Sequence, residues 1–508
     1  MPVSTLYRQL HSRLTAREPM PPKVALIRQD ASPAQASRET FDLICRSLSG
    51  SAIPFFCVRP TRGRPPVIAV RVSYRQRAIT SLARHGLYGA RLPGGRHKVN
   101  ELGKVRQLRR NDMGDAKAIR LWLYYASPSR TLTLGPESGV DLEFWSREGE
   151  LLVAPRPNRV CEAVPVQEES VDAPESLFNR LVAGSARLYP TRPEFACRLV
   201  DDVDFPIDAV YTWVDGNDPA WRARKELALT GGLSELATSE ARFVSRDELR
   251  YSLRSLMTYA PWIRNIYVVT DQQKPSWLVE SDRIRIVDHK EIFADTSVLP
   301  VFNSHAIESR LHHIEGLSEH FLYLNDDFFL GKVLYPETFF EGNGITRFFP
   351  SIAQVPFTLN EDNPVHQAGM NNRRMLEELC GRTLTQKMKH VPYALRRSLL
   401  FELEERFPAA FKDVSASRFR RSSDISTASS LAHYYGYLSG RAIPGQIDYT
   451  YVDLALPKTP AKLRRMLANR EHDAFCLNDT APTTADQDSA LARFLDAYYP
   501  IPTPFESH

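Results

Sequence analysis

Four apolar runs in the middle of the chain each stop at an acidic or amide residue, and helical patterns separate them. The first, Ile207–Val214, runs into Asp215-Gly216-Asn217-Asp218-Pro219, and the second, Asn265–Thr270, stops at Asp271. The third, Arg283–Val287, stops at Asp288, and the fourth, His320–Leu324, ends in Asn325-Asp326-Asp327. β-Branched and aromatic residues favour covered strands, and strands alternating with helices build a parallel sheet with helices on its faces. Such a sheet holds its ligand beyond the carboxyl ends of the strands. One acidic strand end is a turn, but four on one edge make a site. The predicted fold class is therefore α/β, with a Rossmann-like core.

At 508 residues the chain exceeds one ordinary core. Three regions are expected: 1–200, an N-terminal α+β extension; 201–345, the Rossmann-like core; and 346–508, a mainly helical part completing the catalytic domain. Charge at 25% and apolar content at 43% suit a globular enzyme rather than a disordered chain. A net charge of +5 permits anionic substrates without demanding nucleic acid. Arg62-Gly63-Arg64-Pro65 has the look of a minor-groove hook, but strand-like runs at Ala52–Val58 and Pro66–Val72 flank it, so a hairpin turn is expected. Six scattered cysteines with no zinc spacing point to a reducing compartment, and neither a signal peptide nor a spanning run is evident. A cytoplasmic protein is expected, with peripheral contact at the inner face of the membrane and homo-oligomerisation left open.

Local patterns predict helices over Ser4–Leu14, Ala173–Leu188, Tyr393–Phe407 and Ala428–Leu438, and a linker over Pro155–Ala173. Ser245-Arg246-Asp247-Glu248 has capping-box spacing before Leu249, Leu253 and Leu256. Ser304 is the expected N-cap of a helix carrying His305, Glu308 and His312 on one face at i, i+3 and i+7.

The chemistry follows from residue types. Adjacent carboxylates at Asp326 and Asp327 suit a hard divalent cation, which takes oxygen ligands and completes its shell with phosphates and water. Asp215 and Asp218 stand where a ribose, base or metal could be held. His390 is a candidate acid or base, since histidine titrates near neutrality. Arg420 and Arg421 present forks that match phosphoryl oxygens.

Several long segments, in order, resemble the conserved regions of the Stealth family: IDAVYTWVDGNDPAW, RDELRYSLRSLMTYAPWIRNIYVVTD, FNSHAIESRLHHIEGLSEHFLYLNDDFFLGK, KHVPYALRR with RFRRSSD, and CLNDT. That family comprises bacterial capsule and exopolysaccharide phosphotransferases and the related lysosomal-enzyme N-acetylglucosamine-1-phosphotransferase of animals. The resemblance spans roughly residues 205–480. It implies a glycosyltransferase-A-like core that moves a sugar-1-phosphate from a UDP-sugar to a hydroxyl of a glycan or polysaccharide acceptor, releasing UMP. It further implies Asp327, His390 and Arg420 as catalytic, and Asp326, Asp327 and Asp479 as ligands of Mg2+ or Mn2+. Asp215, Gly216, Asp218, Glu308, His312, Asn478 and Arg374 (or its neighbour Arg373) are implied in substrate binding. Asp327 and His390 both remain open as the base. The rival within enzymes is a metal-dependent glycosyltransferase that releases UDP; outside them, a carbohydrate- or nucleotide-binding protein that has kept the fold.

Overall fold

The computed structural model describes residues 25–92, 102–110, 113–167, 169–182, 185–229, 243, 245–358, 363–479 and 481–507. The Ser4–Leu14 helix expected from sequence lies outside them. Backbone contacts divide the chain into two compact units, one of residues 1–171 with 189–195, the other of 172–188 with 196–508. Residues 346–508 thus belong to the same unit as the strands that precede them.

The first unit is α+β. Strands Phe55–Val58 and Val67–Arg71 pair antiparallel, so the Arg-rich segment between them is the hairpin turn expected. Val140–Glu148 then pairs parallel with Val67–Arg71 and antiparallel with Ala118–Trp122. The buried Asp141 takes both Arg120 (2.8 Å) and Arg156 (2.8 Å), and Arg156 also reaches Glu143 at 2.9 Å. Buried charges persist only when paired and hydrogen-bonded. Arg156 therefore anchors the segment expected to be a linker, which also forms strands at Ala163–Pro165 and Val171–Pro174. The helix predicted over Ala173–Leu188 is not seen among the described residues: Ala173 and Pro174 continue that last strand, a short 3-10 turn, Glu175–Leu177, follows, and Leu188 opens another strand.

The second unit is built on β1 (Ile207–Thr212), β2 (Ile266–Thr270), β3 (Ile284–Asp288) and β4 (His320–Asn325). All four run parallel, in the order β3-β2-β1-β4. After β1 the chain moves outward through β2 to β3 and returns to place β4 on the other flank of β1. That reversal opens a crevice at the carboxyl ends of β1 and β4, where Thr212 and Asn325 are register partners. Asp208 ties the opposite ends together, accepting from Arg264 Nε (2.9 Å), Asn265 N (3.1 Å) and Ser318 N (2.8 Å).

Helix α1 (Pro219–Ala228) follows β1, and α2 (Glu248–Tyr259) precedes β2. Leu249, Leu253 and Leu256 of α2 are fully buried, each contributing about 1.5–3 kcal/mol. No capping box starts α2: Asp247 is left-handed and makes no side-chain cap, and Glu248 turns inward instead. The helix α3 (Ser304–Glu308) is capped by Asn303, whose side chain accepts from His305 N, rather than by Ser304.

Beyond β4 a two-residue turn leads into β5 (Phe328–Leu330), and β6 (Tyr393–Arg396) adds an antiparallel edge strand beside β4. β6 occupies the start of the predicted Tyr393–Phe407 helix, which begins only at Arg397. The predicted helix near Ala428 is present as a π turn, Thr427–Leu431, continuing into α-helix Ala432–Leu438. Finally β7 (Tyr449–Asp453) pairs parallel with β8 (Ala474–Asn478), which pairs antiparallel with β5. This small sheet delivers the residues after Cys476 to the turn after β4. No helix among the described residues is long and apolar enough to cross a membrane.

Candidate active site

A cleft of about 500 Å3 lies beyond the carboxyl ends of β1 and β4, a size that suits a small ligand. Its floor carries Asn325, Asp326, Asp327, Glu248, Asn478 and Asp479. Strand pairing explains the convergence: the Leu477 amide bonds the Asp327 carbonyl at 3.1 Å, which sets β8 directly against the turn.

The carboxylates on this floor repel one another. Enclosure raises the Asp326 pKa well above the carboxylate range, and the neighbouring charges of Asp327 and Glu248 raise it further. Asp327 is raised by enclosure too, against hydrogen bonds and the nearby His390. Its Oδ2 accepts from Asn478 Nδ2 (2.9 Å) and Cys476 Sγ (3.2 Å). The thiol stays protonated, because burial and Asp327 push its pKa well up. Asp479 spends Oδ2 on Arg246 at 2.6 Å. The remaining oxygens, Asp327 Oδ1 and Asp479 Oδ1, are buried without a hydrogen-bond partner.

Hard oxygen donors, mutual repulsion and orphaned oxygens fit a divalent cation of the magnesium class. Asp326 and Asp327 would hold it; Asp479, implied as a third ligand, does not close with them into a set within 4.8 Å.

Glu248, at the glutamate position of the expected capping box, adds a further charge to the floor. Burial pushes its pKa up to about 7 from 4.5. A raised acid favours the folded state while protonated, so its contribution is lost as pH climbs from 4.5 towards 7. In metal-free protein, Glu248→Gln should therefore flatten the fall in stability between pH 5 and pH 8, by up to about 3 kcal/mol. Denaturant melts of both proteins at the two pH values test this; parallel losses would contradict it.

Arg420 lines the same cleft. Its Nη2 donates to Ser304 Oγ at 2.9 Å, and its Nε is buried with no partner. Burial pulls its pKa down, with Glu308 and Asp424 opposing the shift. A guanidinium carries five donors in a fixed fork, so donors left unspent on a cleft wall await an anion. Glu308 lines the same wall, accepting from Ser429 Oγ at 2.8 Å.

His390 forms a third side, its ring open to the cleft and packed edge-on against Tyr451 at 5.6 Å. The enclosing walls lower its pKa and Asp327 works to raise it. The resting ring is thus neutral, and an imidazolium formed there would find a nearby carboxylate. His390 Nδ1 lies 3.9 Å from Cys476 Sγ, which links it to Asp327 through the thiol.

Other predicted site residues lie elsewhere. Asp215, Gly216 and Asp218 do not line the cleft. Asp218 caps α1 through Ala220 N (2.9 Å) and accepts from Gln273 Nε2 (3.0 Å), while Asp215 Oδ1 turns back to Asn217 N (2.9 Å). Their loop shapes the apolar mouth, where Val214 packs with Trp221, Phe243 and Phe302. Gly216 is required there: an added Cβ would lie 2.3 Å from the Phe243 carbonyl oxygen. Gly216→Ala should cost about 1–3 kcal/mol, read as a lowered melting temperature, and an unchanged melt would contradict this packing. Asp288 caps the helix after β3, and Asp271 lines the cleft but is held by Arg224 at 2.9 Å.

Arg373 is buried and donates to the carbonyls of Leu384 (2.9 Å) and Pro356 (2.8 Å); Arg374 and Arg421 are exposed and line no part of the cleft. His312 is also outside it, because α3 ends at Glu308 and a 3-10 turn swings His312 towards Glu404. Glu248, Arg246 and Cys476 were missed. All three lie in the motif segments, Arg246 and Glu248 at the start of RDELRYSLRS and Cys476 at the start of CLNDT.

The segments that wall this cleft match, in order, family models described as Stealth protein conserved region 1 at residues 205–232, region 2 at 242–348, region 3 at 389–437 and region 4 at 464–508. "Exopolysaccharide phosphotransferase SCO6023" of Streptomyces coelicolor is 46% identical over 497 residues, covering 95% of this chain and 85% of that protein. The chain belongs to the Stealth family. A second Stealth relative, "Exopolysaccharide phosphotransferase CpsY" of Mycobacterium tuberculosis, is 34% identical over 500 residues, covering 95% of this chain and 91% of that one. The relatives' coverage takes in the N-terminal unit, which lies outside the four conserved regions. Among solved structures, a galactosyltransferase LgtC in complex with donor and acceptor sugar analogs matches at 12% identity and a TM-score of 0.31, over 58% of this chain and 96% of that one. That likeness is too slight to bear on the fold.

Proposed function

We propose that this Stealth protein is an exopolysaccharide phosphotransferase that moves a sugar-1-phosphate from a UDP-sugar to a sugar hydroxyl, forming a phosphodiester and releasing UMP. The observation that carries this reading is one cleft lined both by a carboxylate floor, Asp326 and Asp327, and by Arg420 with an unspent buried donor. A diphosphate is the group that uses both, through a cation on one side and a guanidinium on the other. The names of the relatives favour phosphoryl over glycosyl transfer.

Magnesium or manganese, when bound, neutralises phosphoryl charge at the floor. The chain's own residues do the rest. The apolar mouth of Trp221 and Phe302 suits a planar base, and Arg420 clamps the phosphoryl oxygens. Of the two residues open as the base, His390 takes the acceptor's hydroxyl proton, being neutral and free to rise, whereas Asp327 Oδ2 already serves Asn478 and Cys476. The acceptor oxygen bonds the β-phosphorus, the bond from that phosphorus to the bridging oxygen breaks, and UMP departs carrying that oxygen. Asn478 and Cys476 hold Asp327 in place throughout. Cys45, Cys57, Cys380 and Cys476 are thiols, which accords with a cytoplasmic site of action, at the inner face of the membrane where the acceptor requires it.

Identifying the released nucleotide tests the proposal. Purified protein is given UDP-sugars, Mg2+ or Mn2+ and an oligosaccharide acceptor, and the nucleotide is resolved by chromatography. Metal-dependent UMP, abolished in Asp327→Asn, is expected; UDP would leave an ordinary glycosyltransferase.

A further inference from the structure

Just after α3 in the chain, at residues that do not line the cleft, two imidazoles meet one carboxylate oxygen. His312 Nε2 and His313 Nε2 each lie 2.7 Å from Glu404 Oε2. Among the described residues this is the one trio of His, Cys, Asp or Glu whose ligating atoms all lie within 4.8 Å of one another. We propose that His312, His313 and Glu404 form a second metal site, selective for a borderline transition ion, zinc foremost, and separate from the carboxylate floor.

The donor set argues for that ion. Imidazole nitrogen with one carboxylate suits zinc and its neighbours, whereas magnesium takes oxygen. Three protein ligands leave a fourth position for water. The carboxylate already has an outer contact. Arg310 Nη1 holds the other carboxylate oxygen at 2.6 Å, so Oε2 is the one turned to the histidines. Such outer partners fix the orientation of a ligand. Arg397 Nε bonds the His312 carbonyl at 2.8 Å, and Phe401 stands edge-on to both rings, at 4.6 Å and 5.1 Å.

Hydrogen bonding alone serves this trio poorly. Both rings must present Nε2–H to one oxygen, which leaves His312 Nδ1 as an acceptor, and that atom is buried with no partner. The other tautomer turns the Nε2 lone pair on the carboxylate, an arrangement that a cation shared by the two atoms relieves. His312 is wholly buried, while His313 and Glu404 are 31% and 26% exposed, so an ion can reach the trio from solvent.

Its place in the fold gives it a role. His312 and His313 follow the helix that presents Ser304 and Glu308 to the cleft, and Glu404 lies on the helix that follows β6. A metal here clips those two segments together. Bound there, the ion steadies the segment that carries Ser304 and Glu308.

The test uses full-length protein stripped with a chelator and then desalted. Zinc binding is measured by competition with a chromophoric chelator, in saturating Mg2+, alongside the visible spectrum of the Co2+-loaded protein and the thermal melt with and without Zn2+. One equivalent of tightly bound zinc and a raised melting temperature are expected in wild type and in Asp327→Asn. His313→Ala and Glu404→Gln, at partly exposed positions, should lose both, weakening zinc by more than the roughly 10–100-fold that loss of an outer partner costs. Should either variant fail to fold, Arg310→Gln, which leaves all three ligands, is expected to weaken zinc within that range. No zinc binding in wild type, binding unchanged in His313→Ala, or binding lost in Asp327→Asn would overturn the proposal.

Discussion

Arg420→Lys should lower kcat/KM for the donor by about 10³-fold while leaving the fold intact. Lysine keeps the positive charge, so a loss of this size isolates the fork. The guanidinium of Arg420 is anchored at one end by Ser304 and leaves its buried Nε unspent, so it meets an anion with more than one donor at fixed spacing. An ammonium offers a point charge on a flexible stem and cannot reproduce that. A drop of tenfold or less would mean that Arg420 serves the wall rather than the phosphoryl group. Far-ultraviolet circular dichroism and melting temperature, compared with wild type, separate lost chemistry from lost structure.

His390→Gln should lower kcat by about 10²–10⁴-fold, the range for a positioned general base. The pH profile distinguishes a base from a merely structural histidine. In wild type, activity should fall on the acid side below the ordinary histidine value of 6.5, because the cleft walls hold the His390 pKa down. Protonation there removes the base. Glutamine fills similar space and can hydrogen bond, but it cannot take the proton, so the residual activity should lose that acid limb. An acid limb unchanged in His390→Gln would return the role to Asp327.

The parts of the fold legible from sequence were those with one dominant pattern. β1, β2, β3 and β4 are short, apolar and bounded by acids, and each is observed within a residue or two of where it was expected. β6 was not, because Tyr393-Ala394-Leu395 is as apolar as the helix after it. Leu395, Leu399, Leu400 and Leu403 keep helical spacing across the boundary, and only pairing with β4 makes the first of them a strand residue. Ser304 failed as a cap because Asn303, one residue earlier, accepts the first free amide equally well.

The site divides in the same way. Asp326 and Asp327 were legible because adjacent acids after a buried strand have few other uses. Asp215, Asp218 and Asp288 have the same local signature but spend their carboxylates on turns and caps, which only their hydrogen-bond partners reveal. Glu248 reverses the case, since Ser245 and Glu248 have the spacing of a cap and the glutamate turns into the cleft. Cys476 acts on Asp327 across 149 positions of chain, a distance that strand pairing spans and local pattern does not. His312 shows the limit of helical spacing. Three residues seven apart share a face only while the helix lasts, and α3 ends at Glu308.

The central claim, that phosphorus and not carbon is attacked, is tested most directly by following the β-phosphorus of the donor. The UDP-sugar that supports turnover is prepared with a radiolabel at that atom and incubated with enzyme, Mg2+ or Mn2+ and acceptor. Products are separated into polymer and nucleotide. The label should appear in the acceptor as a phosphodiester, with unlabelled UMP released in equal amount. Label retained in the nucleotide as UDP, with unlabelled sugar on the acceptor, would contradict the account.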